Sequence, residues 1–372
     1  MKVKILAAGG GTSGHVYPAI AIADRIRKEA PGSTIEFCGT ARGIESELIP
    51  KAGYHMHEIR ASGLPSGLSK KTFKALSDFR AGRSRCVELI REFKPDAVIG
   101  TGGYVCSPLV SAAAKMKVPV ILHEQNAFPG RSNRFMSRKA AVVCTGFPGT
   151  EDYFRSAKRV VYTGNPIREV FNSVERLSCR AMLGFRPEEF LILAMGGSLG
   201  SKTINRAVTG LFDQLETKSV RIVLSAGKQQ YPELKAEMTD RSVGAEIYEY
   251  IDDTHLYMAA ADLIICRAGA ITCAEVAAVG VPSIMIPYPY AAGDHQTYNA
   301  KKFTEAGAGI CIPDSELSAE RLARETEKFI KNRSYGSDMG RNAAKLHIAG
   351  SDTKIAQIVL DICENSNRLT GE

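Results

Sequence analysis

Apolar, strand-like runs alternate with helical patterns from one end of this chain to the other, and that alternation admits few folds besides parallel sheets with crossover helices. In the first half, strands are expected near Lys4 to Ala8, Thr34 to Cys38, His55 to Ile59, Ala97 to Gly100, Val118 to His123, Val142 to Thr145 and Val160 to Thr163. In the second half they are expected near Leu191 to Met195, Arg221 to Ser225, Glu246 to Tyr250, Asp262 to Cys266, Ser283 to Ile286 and Gly309 to Ile312. Each half opens alike: Ile5 to Gly14 and Leu193 to Gly200 both read as a strand running into a glycine-rich turn and then a helix. The fold class is therefore α/β, with two Rossmann-like domains in tandem. The turn-forming stretch Gly164-Asn-Pro-Ile-Arg168 marks the boundary, giving domains of residues 1–164 and 165–350. From Ser318 the pattern is helical to the end, with breaks expected at Asn332 to Gly336 and at Gly350-Ser351. A last helix, within 351–372, is expected to cross back to the first domain.

At 372 residues the chain is long for one core, which fits two domains of ordinary size. The nine cysteines are scattered without a Cys-x-x-Cys pair, so neither a zinc cluster nor a redox couple has its usual spacing. Cys38, Cys144 and Cys266 fall inside apolar strands, where a reduced thiol packs as a small hydrophobe, and a reducing cytoplasm is the expected compartment. No apolar run reaches the roughly twenty residues of a bilayer-spanning helix. Met1 to Ala8 reads as a first strand because it leads straight into glycines, unlike a signal peptide. The net charge of +8 is modest for this length, so its distribution matters more than its total.

Gly9-Gly-Gly11-Thr-Ser-Gly14 satisfies the dinucleotide fingerprint, but an NAD site also needs an acidic residue ending the second strand. That strand ends Phe37-Cys38-Gly39-Thr40, with Glu36 one pleat too early, which argues against NAD. Gly196 to Thr203 approaches a P-loop but has serine where a glycine lets backbone amides wrap a phosphate. Asp-x-Asp occurs nowhere, so the usual carboxylate pair for a metal-bound diphosphate is missing, and helix amides with arginines would have to neutralise such a group. His15 falls in the first turn of the first helix, where the helix field keeps an imidazole neutral and able to accept a proton. It is either a general base or a simple cap.

Two further stretches each allow two readings. After the strand ending at Cys266, a helix expected to open near Thr272 would present its first amides to an anion, with Arg267 adding charge and Glu275 placed to accept two ribose hydroxyls. Equally, Thr272 and Glu275 form a capping-box pattern in which Glu275 serves only the backbone. Between Leu64 and Arg85, Leu68, Phe73, Leu76 and Phe79 share one helical face amid six basic residues and a single acid, Asp78. Periodicity alone favours a crossover helix packing that face on the sheet, whereas the charge suits a helix lying on an anionic membrane.

Gly9 to Ala19, Gly102-Gly-Tyr104, His123-Glu-Gln-Asn126, Thr163 to Arg168, Gly196-Gly-Ser198, Arg267 to Glu275 and Asp294-His-Gln296, in this order, resemble the bacterial peptidoglycan N-acetylglucosaminyltransferases of glycosyltransferase family 28. The resemblance runs through nearly the whole chain. It implies a GT-B fold, two tandem Rossmann-like domains with a cleft between them, and transfer of N-acetylglucosamine from its UDP donor to undecaprenyl-diphosphate-N-acetylmuramoyl-pentapeptide. Carried over by position, Ala270, Ile271 and Thr272 supply helix-start amides to the diphosphate, and Glu275 holds the ribose. Ile251 contacts uracil, Ser198 and Arg168 approach the diphosphate with Arg267 beside them, and Gln296 contacts the sugar. Thr12, Ser13, Gly14 and Asn126 close on the donor, His15 is the candidate base, and Tyr104, His123 and Glu124 line the acceptor side. Ser13 departs from the family's usual glycine.

The same resemblance implies an enzyme needing no metal or other cofactor, working peripherally on the cytoplasmic face of the cell membrane. Its partners would be the UDP-sugar donor, the undecaprenyl-linked acceptor, the membrane surface through the basic segment near Phe73, and cell-wall synthesis proteins, with no nucleic acid among them. The alternatives are a UDP-N-acetylglucosamine 2-epimerase, which shares fold and donor but needs no lipid, and a non-catalytic sugar-nucleotide-binding subunit of a membrane complex.

Overall fold

A computed structural model describes residues 2–65, 67, 69–197, 199–215, 219–239 and 244–370. Ser198, expected at the diphosphate, and Leu68, expected on the apolar face, lie outside the described residues. The chain divides into two compact units, residues 1–167 with 350–372, and residues 168–349.

The first unit contains β1 (Lys4–Gly9), α1 (Ser13–Glu29), β2 (Thr34–Gly39), α2 (Glu45–Lys51), β3 (His55–Glu58), α3 (Lys70–Phe93) and β4 (Ala97–Gly102). It continues with α4 (Gly103–Lys115), β5 (Val120–Glu124), α5 (Arg131–Met136), β6 (Val142–Thr145) and β7 (Val160–Tyr162). All strand pairs are parallel, in the order β3-β2-β1-β4-β5-β6-β7. Alternate residues of β1 feed opposite cores, as the two-residue period of a strand requires. Ile5 and Ala7 pack with Val16, Ile22 and Ile26 of α1 on one face, and Leu6 and Ala8 pack with Val105, Leu109 and Leu89 on the other.

The second unit runs α6 (Arg176–Met182), β8 (Phe190–Met195), α7 (Lys202–Gln214), β9 (Val220–Ser225), α8 (Tyr231–Thr239), β10 (Ala245–Tyr248), α9 (Thr254–Ala260) and β11 (Leu263–Cys266). It ends with α10 (Ala270–Val279), β12 (Ser283–Met285), α11 (His295–Glu305), β13 (Gly309–Cys311), α12 (Ala319–Lys331) and α13 (Arg333–Lys345). Its sheet is also parallel, in the order β10-β9-β8-β11-β12-β13. The last helix, α14 (Ser351–Thr370), belongs to the first unit, where Ile355, Val359 and Cys363 join the core beside α1, and Asp352 accepts from Arg25 Nε at 2.7 Å.

Two expectations need correction. The break expected at Asn332 to Gly336 is confined to Asn332, whose side chain accepts from Tyr335 N and caps α13, so Gly336 sits inside that helix. Gly340 serves packing: a Cβ there would come within 2.5 Å of the Gly280 carbonyl oxygen. The apolar face of α3 also divides. Ala75, Gly82, Cys86, Leu89 and Ile90 are buried, whereas Phe73 and Leu76 are 70% and 43% exposed, so the first turns do not pack on the sheet.

The order of each sheet reverses at one place, between β1 and β4 in the first and between β8 and β11 in the second. Open parallel sheets bind ligands beyond the carboxyl ends of their strands at such a switch point, where two loops diverge and leave a crevice. Both glycine-rich turns lie there.

Candidate active site

At the first switch point the chain leaves β1 through Gly9, Gly10 and Gly11 and enters α1 at Ser13, with Thr12 in extended geometry ahead of it. A Cβ on Gly9 would collide with Thr101 Oγ1 and the His15 carbonyl, so only glycine lets this loop lie against the end of β4. Gly11 takes the left-handed conformation (φ +83°), and the Glu45 carboxylate, wholly buried, accepts from Gly11 N at 3.0 Å and from Thr40 N and Oγ1 at 3.2 and 2.6 Å. Ser13 begins the helix with φ outside the positive region, so a serine fits where the family usually has glycine.

His15 is held through Nδ1, which lies 3.1 Å from Thr101 O and 3.0 Å from Gln125 Oε1. The Thr101 carbonyl can only accept, so Nδ1 carries the proton and the basic lone pair is on Nε2. Gln125 fixes this tautomer, because its Nε2 donates to Thr101 O at 2.8 Å and to His123 Nδ1 at 2.9 Å, which turns its Oε1 toward His15. His123 Nε2 in turn donates to Gly164 O at 3.2 Å. Burial holds the His123 pKa down at about 4, against the opposing pull of that hydrogen bond, so the ring stays neutral and the chain of donors keeps one direction. Gly102 (φ +108°) completes the cradle: a Cβ there would lie 2.9 Å from His15 Nδ1.

The expectation that His123 and Glu124 line an acceptor surface is corrected by their burial, at 0% and 1% exposure. The Glu124 carboxylate accepts from Asn126 N and Nδ2, Gly130 N and Asn133 Nδ2, all at 3.0–3.1 Å, and so shapes the loop after β5 and aims Asn126. Both are framework groups. Tyr104 remains half-buried, with its ring against Gly11. Gln125 was unassigned by motif reading; its place on β5's continuation, two residues after His123, was the available signal.

Gln125→Leu is expected to lower turnover by about 10–100-fold with donor affinity unchanged, since Nδ1 loses one of its two acceptors and the ring one of the two contacts that hold its orientation. Gln125→Glu still accepts from Nδ1 but adds a negative charge, which favours the imidazolium and moves the acidic limb of the pH–rate profile to higher pH. Steady-state kinetics from pH 6 to 9 check both.

At the second switch point α10 opens at Ala270, two residues earlier than expected. Extended Gly269 is its N-cap, with no side-chain cap, and Cys273 N donates to Gly269 O at 2.8 Å. Thr272 is therefore the third residue of the helix, not its N-cap, and the capping box does not form. Ala270, Ile271 and Thr272 thus contribute the first-turn amides of the helix. Asn299, fully buried, donates to Ala268 O at 3.0 Å and fixes the turn that leads in.

Glu275 lies one turn into α10, its side chain 16% exposed and its Oε1 3.9 Å from Arg168 Nη2. Burial raises its pKa to about 7, and Arg168 only partly offsets that. Arg168 is itself steadied by donating to Thr254 Oγ1 at 2.7 Å and by lying 5.1 Å above the Phe171 ring. Ile251 is buried at 4% exposure, and the Gln296 side-chain oxygen accepts from Tyr288 N at 3.0 Å, which leaves Gln296 its amide NH2 as a donor toward a ligand.

The expectation that Arg267 lends its charge to a diphosphate is corrected. Its Nη1 pairs with Asp314 at 2.5 Å and donates to the Ile286 and Pro287 carbonyls, both at 3.2 Å, while Nη2 donates to Ser201 and Thr203 hydroxyls. The guanidinium is neutralised and ties the loops after β8, β11, β12 and β13 together.

Residues 5–145 match the Glycosyltransferase family 28 N-terminal domain, and residues 191–362 match the Glycosyltransferase family 28 C-terminal domain. Proteins named UDP-N-acetylglucosamine--N-acetylmuramyl-(pentapeptide) pyrophosphoryl-undecaprenol N-acetylglucosamine transferase are similar throughout. The one from Acetivibrio thermocellus is 38% identical over 98% of this chain and 99% of its own length, and that from Thermoanaerobacter sp. is 40% identical over 97% and 100%. Among solved structures, Acinetobacter baumannii MurG superposes with a TM-score of 0.79 at 29% identity, covering 97% of this chain and all of that one. The UDP-GlcNAc 2-epimerase of Neisseria meningitidis, bound to UDP-GlcNAc, reaches a TM-score of 0.69 at 14% identity over 97% and 100%, a likeness of fold alone. The two parallel-sheet units have the GT-B architecture these neighbours share. With both domains matched in order and such identity along the whole length, the chain belongs to glycosyltransferase family 28.

Proposed function

We propose that the chain transfers N-acetylglucosamine from UDP-N-acetylglucosamine to the 4-hydroxyl of undecaprenyl-diphosphate-N-acetylmuramoyl-pentapeptide, with inversion at the anomeric carbon. The observation that carries this is the identity of about two residues in five, end to end, with proteins named for that reaction. His15 Nε2 takes the proton of the acceptor hydroxyl as its oxygen bonds to the anomeric carbon, and the bond from that carbon to the UDP oxygen breaks. The amides of Ala270, Ile271 and Thr272 at the start of α10, with Arg168, stabilise the charge gathering on the departing diphosphate. The Glu275 carboxylate accepts from the ribose hydroxyls. Thr12, Ser13, Gly14 and Asn126 add contacts to the donor, Tyr104 faces the acceptor, Ile251 adjoins the uracil, and the Gln296 amide donates to the sugar.

One assay tests the reading: UDP release from UDP-N-acetylglucosamine with and without a lipid I analogue. Release that requires the acceptor is expected. Release without it would point to an epimerase, and donor binding with no release in either case to a non-catalytic subunit.

The acceptor is a membrane lipid, and no helix among the described residues is long and apolar enough to cross a membrane. The first unit is assigned to peripheral docking on the cytoplasmic face. Leu64, Phe73 and Leu76 are 68%, 70% and 43% exposed and stand amid exposed Lys70, Lys71, Lys74 and Arg80, which suits insertion of apolar side chains between anionic headgroups. Phe73→Ser is expected to weaken binding to vesicles containing anionic lipid by about 10–100-fold, the cost of one lost phenyl insertion, while UDP binding stays unchanged; vesicle sedimentation checks it.

A further inference from the structure

The outer edge of the first sheet carries a cluster of metal-ligating side chains that shares no residue with the His15 network. Edge strand β3 presents His55 and His57 on one face, two residues apart, and the strand register sets His55 opposite Glu36 of β2. One ligand atom from each of the three side chains lies within 4.8 Å of the others. His57 Nε2 is 2.5 Å from Glu36 Oε2, and the two imidazoles meet edge to face with centroids 4.5 Å apart. An ion pair between Glu36 and His57 accounts for two of these groups but not for the third. His55 is exposed, and among the described residues that ring contact is the only hydrogen-bond, ion-pair or ring interaction its side chain makes.

We propose that Glu36, His55 and His57 form a binding site for a divalent transition metal, with Zn2+ the best match. Two imidazoles and one carboxylate suit zinc, cobalt or nickel, whereas magnesium and calcium favour all-oxygen shells. A tetrahedral ion with bonds of about 2.0–2.1 Å spaces its donors by about 3.3 Å, against the 4.8 Å within which the three ligand atoms already lie. On binding, the proton shared by His57 and Glu36 leaves, and water fills the open position. Two hydrogen-bonded strands already fix the backbone, so little ordering opposes the ion. Arg85 of α3, a cation whose field reaches Cys38 two residues beyond Glu36, is paired with Glu88 at 3.1 Å.

The test uses the untagged full chain, freed of metal with a chelator and titrated with zinc chloride and with cobalt chloride. One equivalent should bind per chain, with a visible cobalt absorption of nitrogen–oxygen ligation and a zinc-dependent rise in unfolding temperature. His55→Asn, which removes no hydrogen bond and so should fold as the parent does, is expected to weaken zinc binding at least about tenfold and abolish the thermal shift. Failure of the parent chain to bind either ion would overturn the assignment. So would zinc binding that is undiminished, relative to the parent, in both His55→Asn and a Glu36→Gln/His57→Asn double variant, which would put the ion on other histidines.

Discussion

Replacing His15 with alanine is expected to lower turnover by about 100- to 10,000-fold while UDP binding changes less than about threefold, the range for losing a positioned general base. The geometry of the imidazole is compatible with that proposed role. Its Nδ1 is committed to Thr101 O and Gln125 Oε1, so Nε2 is the atom left with a basic lone pair. The α1 N-terminus adds partial positive charge, which disfavours the imidazolium before reaction. His15→Asn should fare no better than alanine, because an amide can keep the contacts near Nδ1 but cannot take a proton. Turnover with a lipid I analogue, together with donor affinity by calorimetry, separates the outcomes. Unchanged turnover would remove His15 from the chemistry, and a loss of affinity alone would make it a ligand contact.

Much of the fold was readable because it is written locally. Runs such as Ile5 to Ala8 and Leu191 to Ala194 are apolar enough to be buried on both faces, as crossover helices demand, and the glycine turns after them mark strand ends. What escaped reading depends on partners far away in sequence. Arg267 looks available for an anion until Asp314 is seen beside it, and Glu45 looks like a surface acid until Gly11 N and Thr40 close on it. The direction of Phe73 is likewise set by which turns of α3 meet α4 and the sheet, not by the spacing of its apolar residues. His123 and Gln125 illustrate the middle ground: the motif flagged their neighbourhood, but their burial and their hydrogen-bond partners are what set them behind His15 in the framework. The start of α10 slipped because Gly269 caps by its extended backbone alone, leaving the nearby Thr272 as a false cap signal.

Glu275→Gln tests whether that helix start holds the donor's ribose, and it carries opposite effects on binding and stability. Glu275 sits mostly buried with a pKa near 7 and only a 3.9 Å contact from Arg168 to offset its desolvation. A carboxyl whose folded pKa lies above its unfolded value of about 4.3 contributes its stability below that lower value and loses it as pH rises through 7. Above pH 7 the ionised group therefore costs the ligand-free protein on the order of 3 kcal/mol. A glutamine of the same shape removes the charge, so the ligand-free variant is expected to unfold at a higher temperature than the parent at pH 8, with the gap closing toward pH 5. UDP binding should move the other way. Ribose hydroxyls donate to the ionised carboxylate, and hydrogen bonds to a charged group are worth about 1.5–3 kcal/mol each, so the variant should bind UDP about 10–100-fold more weakly at pH 8. The parent's affinity should fall as pH drops through 7, and the variant's should stay nearly flat. Calorimetric titration and thermal unfolding across pH 5.5 to 8.5 read both quantities in one series. A variant that is less stable and binds UDP as before would return Glu275 to a purely structural role, and the helix start would then lose its claim on the donor.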